Sequence, residues 1–222
     1  MKKYRVLILD MDGTFVDSFP AGFGCCLGVA RANGWLIDEA TTEIIKDNWG
    51  SPTDIIVDKC WPGANYRLLQ KALNDSSRVI PPPPLFPGAS ETLRLLKYRV
   101  DMCLNTGRRR DGAMPVLAHY GLMDCFARVV TKTDVRVTKP HPESLERLIV
   151  PYEKGLGFGR DAFLFVGDNP FADGECAKAA GIDYLAVAES SNVTRRLLAK
   201  YEVPDSMIID RFRDLPDWLE CR

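Results

Sequence analysis

The sequence predicts an α/β protein with a parallel β-sheet, interrupted early in the chain by a smaller all-helical segment. Short apolar runs at residues 4–9, 100–104 and 162–166 are typical of strands buried on both faces. Helical patterns alternate with the later runs, as expected for βαβ units. By contrast, residues 17–80 contain only helix-like stretches, which end at the proline-rich run 80–88.

Weaker apolar runs and amphipathic stretches complete the predicted element list. Further strands are expected at 128–131, 183–187 and 206–209, with helices between strands at 88–97, 111–120, 142–149, 170–180 and 193–200. The early segment is expected to hold helices near 20–33, 38–47, 52–60 and 64–76. The C-terminal stretch predicts a final short strand followed by a helix at the sheet edge.

Four consecutive prolines, Pro81 to Pro84, mark the return from the helical segment to the sheet. Such a run fits neither a helix nor a central strand and favours a stiff polyproline II connector. The outgoing crossing is expected near Val16–Phe19. We therefore assign residues 1–16 and 84–222 to the α/β core, and residues 17–83 to a helical insertion. A proline-rich binding motif is the rival interpretation of the four prolines.

Composition and charge restrict the class of partner. The 222 residues are 46% hydrophobic and 27% charged, with a net charge of −1, which suits a small-molecule site better than a nucleic-acid surface. The first residues lack the long apolar core of a signal peptide, and no run approaches the roughly 18 apolar residues of a membrane span. We expect a cytoplasmic protein without a membrane or nucleic-acid partner. Seven cysteines without a CxxC pair are expected to be reduced thiols.

Polar residues follow three of the predicted strands. The strand ends are followed by Asp10-Met11-Asp12-Gly13-Thr14, by Asn105-Thr106-Gly107 and by Gly167-Asp168-Asn169-Pro170, with Asp173 slightly later and Lys139 ahead of a predicted helix. Because the carboxyl ends of parallel strands meet at one edge of a sheet, these side chains are expected to lie together.

Clustered carboxylates repel one another, and a divalent cation relieves that repulsion. Mg²⁺ prefers hard oxygen ligands and commonly binds substrate phosphates, so Asp10 and Asp168 are its expected first ligands, with the backbone carbonyl of Asp12 as a further oxygen. Lys139, a threonine hydroxyl and helix N-terminal amides would complete a phosphate site. Asp10 could then act as a nucleophile and Asp12 as a general acid and base.

Each motif also has an ordinary structural interpretation. DxDGT is compatible with a surface turn or a helix N-cap, and TKP and GDNPFAD are compatible with helix starts. An EF-hand loop fits poorly because acidic ligands do not continue at the required spacing. The joint order of the motifs at strand ends favours phosphoryl chemistry over these separate explanations.

Taken together, the motifs resemble those of the haloacid dehalogenase superfamily, in its phosphatase branch. The matching segments are DMDGT from Asp10, the TG of LNTG, Lys139 in TKPHPE, and GDNPFAD from Gly167. The resemblance implies a Rossmann-like, three-layer parallel-sheet core with an inserted all-α cap like that of phosphoglycolate phosphatases and β-phosphoglucomutases. It also implies Mg²⁺ as the cofactor.

The resemblance implies a role for each matching residue. Asp10 would form an aspartyl-phosphate, Asp12 would be the general acid and base, Thr106 and the Gly107 amide would bind phosphoryl oxygens, Lys139 would neutralise charge, and Asp10, Asp12, Asp168 and Asp173 would form the metal site. An aspartate at position 12 argues against dehalogenases and phosphonoacetaldehyde hydrolases. The implied function is a Mg²⁺-dependent hydrolase of a small phosphorylated metabolite, as a monomer or homodimer. A phosphomutase and a non-catalytic phosphate-binding homologue are the alternatives.

Two further segments are candidates for substrate selection. The resemblance places a cap loop at Asn48, Trp49, Gly50 and Ser51, where Trp49 is equally compatible with a cap core position. Arg108, Arg109 and Arg110 follow the TG motif and could attract a second anionic group. The competing interpretation is that most of this arginine run is a solvated helix start.

Overall fold

Six parallel strands form a single sheet within the part of the chain that the structure describes. The structure is a computed structural model, and it describes residues 4–49, 51–76, 78, 81–191 and 195–221. The strands are β1 (Val6–Leu9), β2 (Asp101–Thr106), β3 (Arg128–Thr131), β4 (Phe163–Gly167), β5 (Asp183–Val187) and β6 (Ile208–Ile209). Their order across the sheet is β3-β2-β1-β4-β5-β6. The predicted parallel sheet is confirmed.

The strand order places β1 at the centre of the sheet, between β2 and β4. Leu9 is in register with Leu104 on one side and with Val166 on the other. The backbone N–H of Asp10 donates to the carbonyl of Val166 at 2.8 Å, so the ends of β1 and β4 lie side by side. The chain order reverses between these two strands, which is the point where open α/β sheets bind their ligands.

Helices cover both faces of the sheet. They are α5 (Ala89–Leu96), α6 (Arg110–His119), α7 (Glu143–Leu156), α8 (Glu175–Ala180), α9 (Arg195–Lys200) and α10 (Leu215–Glu220). Alternate residues of β1 enter two separate apolar cores: Leu7 and Leu9 pack with α5, α6 and α10, whereas Val6 and Ile8 pack with α7 and α8. This alternation follows from the two-residue repeat of a strand, and it confirms the predicted three-layer core.

The helical segment between β1 and α5 has its own small core. Its helices are α1 (Phe19–Ala32), α2 (Glu39–Asp47), α3 (Thr53–Cys60) and α4 (Tyr66–Ser76). Buried residues from all four helices, including Ile45, Val57 and Leu69, pack around Trp61. Its two connections run side by side, because the N–H of Asp17 donates to the carbonyl of Pro84 at 2.8 Å. We infer from this pairing that the domain boundaries lie at 16/17 and 83/84.

Two predicted helices differ from the observed ones. Helix α7 continues to Leu156 through Pro151, beyond the predicted end at residue 149. A proline inside a helix removes one hydrogen bond, but the buried face of α7 continues to Tyr152 and keeps the helix packed. The predicted helix 170–180 is divided into a π-helical turn, Pro170–Gly174, and α8. Residues 193 and 194 of the predicted helix 193–200 lie outside the described residues.

Among the described residues, no helix has both the length and the apolar character needed to cross a bilayer.

Packing of the central strand generates a stability prediction. Leu164 on β4 is fully buried, so Leu164→Ala leaves a cavity and is expected to lower the free energy of unfolding by about 2–5 kcal/mol. The same substitution at Leu156, which is 61% exposed, is expected to cost less than about 1 kcal/mol. Urea unfolding monitored by circular dichroism measures both. An equal loss in the free energy of unfolding at the two positions would contradict the assignment of Leu164 to the core.

Candidate active site

Lys139 joins the ends of β1 and β4 at the carboxyl edge of the sheet. Its Nζ donates to Asp10 Oδ1 at 2.8 Å, to Asp173 Oδ1 at 2.6 Å and to the carbonyl of Asn105 at 3.4 Å. The ammonium also lies 5.4 Å from the centroid of the Phe165 ring, on the face of the sheet covered by α7 and α8. Three of the predicted motifs therefore meet around one buried lysine.

Burial has opposite effects on the two members of the Lys139–Asp10 pair. Burial raises the pKa of Asp10 to about 7, with Lys139 opposing the shift and Asp173 adding to it. Burial alone would lower the pKa of Lys139, but Asp10 and Asp173 outweigh it and raise that pKa above its usual value. The lysine is therefore a permanent cation that partly neutralises the surrounding carboxylates.

Asp10, Asp168 and Asp173 form a buried carboxylate triad whose oxygen atoms lie within 4.8 Å of one another. Burial, followed by repulsion from Asp10 and Asp173, raises the pKa of Asp168 well above its usual value. Three carboxylates facing one ammonium leave uncompensated negative charge, and their oxygens are the hard donors that Mg²⁺ prefers. The residues present therefore fit a Mg²⁺ ion.

Two glycines allow this close approach of carboxylates. Gly13 adopts a left-handed φ of 75°, and a Cβ atom there would lie 2.1 Å from Asp168 Oδ2. A Cβ atom at Gly167 would lie 2.3 Å from Asp173 Oδ2. Any side chain at either position would displace a carboxylate of the triad, so the glycines of DMDGT and GDNPFAD are required by the site itself.

The Asp12 carboxylate is separate from the triad and pairs with Arg108. The guanidinium donates from Nε and Nη2 to both carboxylate oxygens at 2.6–3.0 Å. Burial alone would raise the pKa of Asp12, but the Arg108 charge and the Arg108 and Ser18 hydrogen bonds outweigh it and lower that pKa. The predicted contribution of Asp12 to a metal site, through its backbone carbonyl, stays a prediction.

The three consecutive arginines differ in their environment. Arg109 and Arg110 are half exposed and pair with Asp111 and Asp134, as expected for a solvated helix start, although Arg109 also borders the cavity described below. A solvated helix start does not describe Arg108, whose side chain is only 8% exposed. Only the fold, which brings Arg108 across to Asp12, distinguishes the first arginine from the next two.

Thr106 is the last residue of β2, and Gly107 follows it directly. The Thr106 side chain is buried, and its Oγ1 accepts a hydrogen bond from the Arg108 backbone N–H at 3.1 Å. Both residues line a cavity of about 410 Å³ that also includes Asp10, Asp12 and Lys139. The predicted binding of phosphoryl oxygens by the Thr106 hydroxyl and the Gly107 amide stays a prediction.

The cap side of the cavity includes part of the predicted selection loop. Trp49 and Ser51 line the cavity, whereas Asn48 ends α2 by donating to the carbonyl of Ile44. The Trp49 ring also packs edge-on against Phe19 at 5.1 Å, so Trp49 has both a packing contact and a cavity contact. Gly50 lies outside the described residues.

Several cavity residues carried no recognised signal in the sequence. Neutral polar side chains of α4, namely Gln70, Asn74 and Ser76, line the cap side. Asn169 contacts both the core and the helical segment. Its Oδ1 accepts from the N–H groups of Phe171 and Ala172 and so caps the turn after β4, while its Nδ2 donates to the Trp49 carbonyl at 2.7 Å. An asparagine before a proline is a helix-start signal that could have indicated the capping role.

The triad generates a prediction about pH and metal. Because the pKa of Asp168 is raised in the folded state, ionising this group reduces stability as pH rises above the unfolded value of about 4. Without metal, Asp168→Asn is expected to raise the free energy of unfolding at pH 8, because it removes a buried carboxylate that is repelled by Asp10 and Asp173. At pH 3.5, where the carboxyl is protonated in both states, this gain disappears.

Thermal unfolding in EDTA at pH 3.5 and pH 8 measures the pH dependence, and thermal unfolding in MgCl₂ measures the effect of the metal. Mg²⁺ is expected to raise the Tm of the wild-type chain but not that of Asp168→Asn. Asp217→Asn, at an exposed position on α10, is the matched control and should retain the Mg²⁺ response. A Mg²⁺ shift that survives Asp168→Asn would exclude this triad as the metal site.

Comparisons with known proteins identify the family of this chain. A model of the haloacid dehalogenase-like hydrolase family matches residues 7–187. A phosphoglycolate phosphatase of Yersinia pseudotuberculosis is 30% identical over 225 residues, which covers 96% of this chain and 92% of that protein. The match thus spans the helical segment as well as the core.

Solved structures show the same fold. One from Bacteroides fragilis, described as a haloacid dehalogenase-like hydrolase, has a TM-score of 0.79 at 22% identity and covers 96% of this chain and 100% of its own. One from Thermotoga maritima, described as a β-phosphoglucomutase, has a TM-score of 0.65 at 23% identity, with 97% and 98% covered. The family match, the full-length relative and the shared fold agree: this chain belongs to the haloacid dehalogenase-like hydrolase family, in its phosphatase branch.

Proposed function

We propose that this chain hydrolyses the phosphomonoester of a small metabolite with the aid of Mg²⁺, through an aspartyl-phosphate on Asp10. The observation that carries the proposal is the buried contact of Asp10 with Lys139, next to Asp168 and Asp173. A carboxylate held in this way is aligned and charge-balanced, as a nucleophile toward an anionic phosphoryl group must be.

The first half of the reaction transfers the phosphoryl group to the protein. A carboxylate oxygen of Asp10 forms a bond to phosphorus, and the bond from phosphorus to the ester oxygen breaks. Once separated from Arg108, Asp12 takes up a proton from water and donates it to the leaving oxygen, which departs as an alcohol. Lys139 stays beside Asp10, while Thr106 and the Gly107 amide hold the phosphoryl oxygens.

The second half returns the protein to its starting state. Water attacks phosphorus, its proton passes to the Asp12 carboxylate, and the bond from phosphorus to Asp10 breaks to release inorganic phosphate. Mg²⁺ bound by Asp10, Asp168 and Asp173 would neutralise the carboxylates and draw charge from the phosphoryl oxygens. In the arrangement described here Asp12 is engaged by Arg108, so each proton transfer requires that this pair separates.

The cavity and the relatives support the proposed class of substrate. A cavity of about 410 Å³ that includes cap residues suits a small metabolite, and the relative from Yersinia pseudotuberculosis is a phosphoglycolate phosphatase. The cap would exclude water from the site during transfer. We propose a cytoplasmic enzyme that acts as a monomer or homodimer.

The direct test is phosphate release from a panel of phosphorylated metabolites, with Mg²⁺ and with EDTA. Asp10→Asn removes the nucleophile and is expected to lower kcat by about 1,000-fold or more on every substrate, while circular dichroism shows an unchanged fold. Asp217→Asn is the control for loss of one carboxylate and should keep full activity. Release that persists in Asp10→Asn, or in EDTA, would exclude the proposed mechanism.

A further inference from the structure

Arg108 is a buried cation that faces the candidate active-site cavity. Its side chain is only 8% exposed, and it lines the same cavity as Asp10 and Lys139. Burying a guanidinium is costly unless it is paired, and the Asp12 carboxylate pairs with it through both oxygens. The planar fork of arginine is the side-chain geometry best matched to a carboxylate or a phosphate.

The position of Arg108 relative to Asp12 identifies the part of the substrate that it would meet. In the proposed reaction, Asp12 must contact the ester oxygen that leaves, whereas Lys139 and Thr106 contact the transferring phosphoryl group. A guanidinium bonded to Asp12 therefore lies on the leaving-group side of phosphorus. Arg108 is placed to contact the organic part of the substrate rather than the phosphoryl group.

Asp12 cannot transfer protons while both of its oxygens accept from Arg108. A substrate that carries its own anionic group near the ester can take the place of Asp12 on the guanidinium. Arg108 would then remain paired, and Asp12 would keep the hydrogen bond from the Ser18 hydroxyl at the start of the cap connection. A substrate without such a group has to separate the pair, and the buried guanidinium then loses its charge-assisted hydrogen bonds to the Asp12 carboxylate.

We propose that Arg108 is the specificity-determining residue for a second anionic group, a carboxylate or a phosphate, next to the ester of the substrate. This inference rests on the proposed phosphatase function. It assigns the choice between anionic and neutral leaving groups to the core of the enzyme. The cap wall of the cavity contributes neutral side chains and one carboxylate, Asp54, and no cation among the described residues. The preferred substrates are short phosphomonoesters with two separate anionic groups.

Three matched substrates test the inference: 2-hydroxyethyl phosphate, phosphoglycolate and ethylene glycol bisphosphate, which carry a hydroxymethyl, a carboxylate and a second phosphate. The wild-type chain is expected to show a kcat/KM at least about tenfold higher for one anionic compound than for the hydroxyethyl ester. The anionic compound with the higher kcat/KM shows whether the carboxylate or the phosphate is the recognised group. Equal kcat/KM values for all three would overturn the proposal without any variant.

Arg108→Gln is expected to reduce that ratio about tenfold or more, and Arg108→Lys to restore part of it, because lysine keeps the charge but not the fork. Arg110→Gln removes the same charge from an exposed position outside the cavity and should keep the wild-type ratio. A ratio preserved in Arg108→Gln would overturn the proposal. The ratio is insensitive to a general loss of activity, and Arg108→Lys decides if Arg108→Gln does not fold.

Failure of the phosphatase function has a different signature. In that case none of the three esters, nor p-nitrophenyl phosphate, is hydrolysed with Mg²⁺. Calorimetric binding of phosphoglycolate, ethylene glycol bisphosphate and 2-hydroxyethyl phosphate to the wild-type and Arg108→Lys chains then decides. Tighter wild-type binding of an anionic compound that weakens in Arg108→Lys supports the role of Arg108, and equal binding of all three overturns it.

Discussion

Uncompensated negative charge at the carboxyl edge of the sheet is the constraint on which this structure depends. Asp10, Asp168 and Asp173 are buried within 4.8 Å of one another, and Lys139 contacts only two of them directly. Burial of like charges raises the pKa of Asp10 and Asp168, which is costly for a folded chain near neutral pH. A divalent cation bound to these oxygens would relieve the repulsion and would also attract an anionic phosphoryl group.

The fold holds these charges by making the surrounding backbone rigid. The register of β1 against β4 places Asp10 beside Gly167, and both neighbouring strands are buried on both faces. Glycines at positions 13 and 167 admit carboxylates where any side chain would collide. The site is therefore built at the ends of two fully buried strands, which limits how far the carboxylates can move apart.

Polar contacts join the cap to the core. Asn169, between Asp168 and Asp173, bonds to the carbonyl of Trp49, and Arg78 pairs with Asp111 on the core at 2.7 Å. The second contact is exposed and contributes little to stability. The arrangement combines a rigid core that carries the charged groups with a helical segment that has its own small core. Such a segment can vary in sequence without disturbing the carboxylates.

The sequence by itself determined the parallel α/β core, the helical insertion and the positions of the charged motifs. These features are local. The apolar runs, the proline connector and the aspartates after strand ends can each be recognised from a few consecutive residues. Helix α7 shows the limit of local signals, because packing of Tyr152 and its neighbours continues the helix through Pro151, beyond the predicted end at residue 149.

Only the tertiary structure decided that Arg108 pairs with Asp12. The motifs already predict that Lys139 lies with Asp10, but Arg108 meets Asp12 across 96 residues of chain, and no local pattern distinguishes Arg108 from the two arginines beside it. The polar residues of α4 and the contact of Asn169 with the cap likewise arise from how distant segments pack. Side-chain partners depend on distance in space, and a sequence pattern specifies only which groups are available at each strand end.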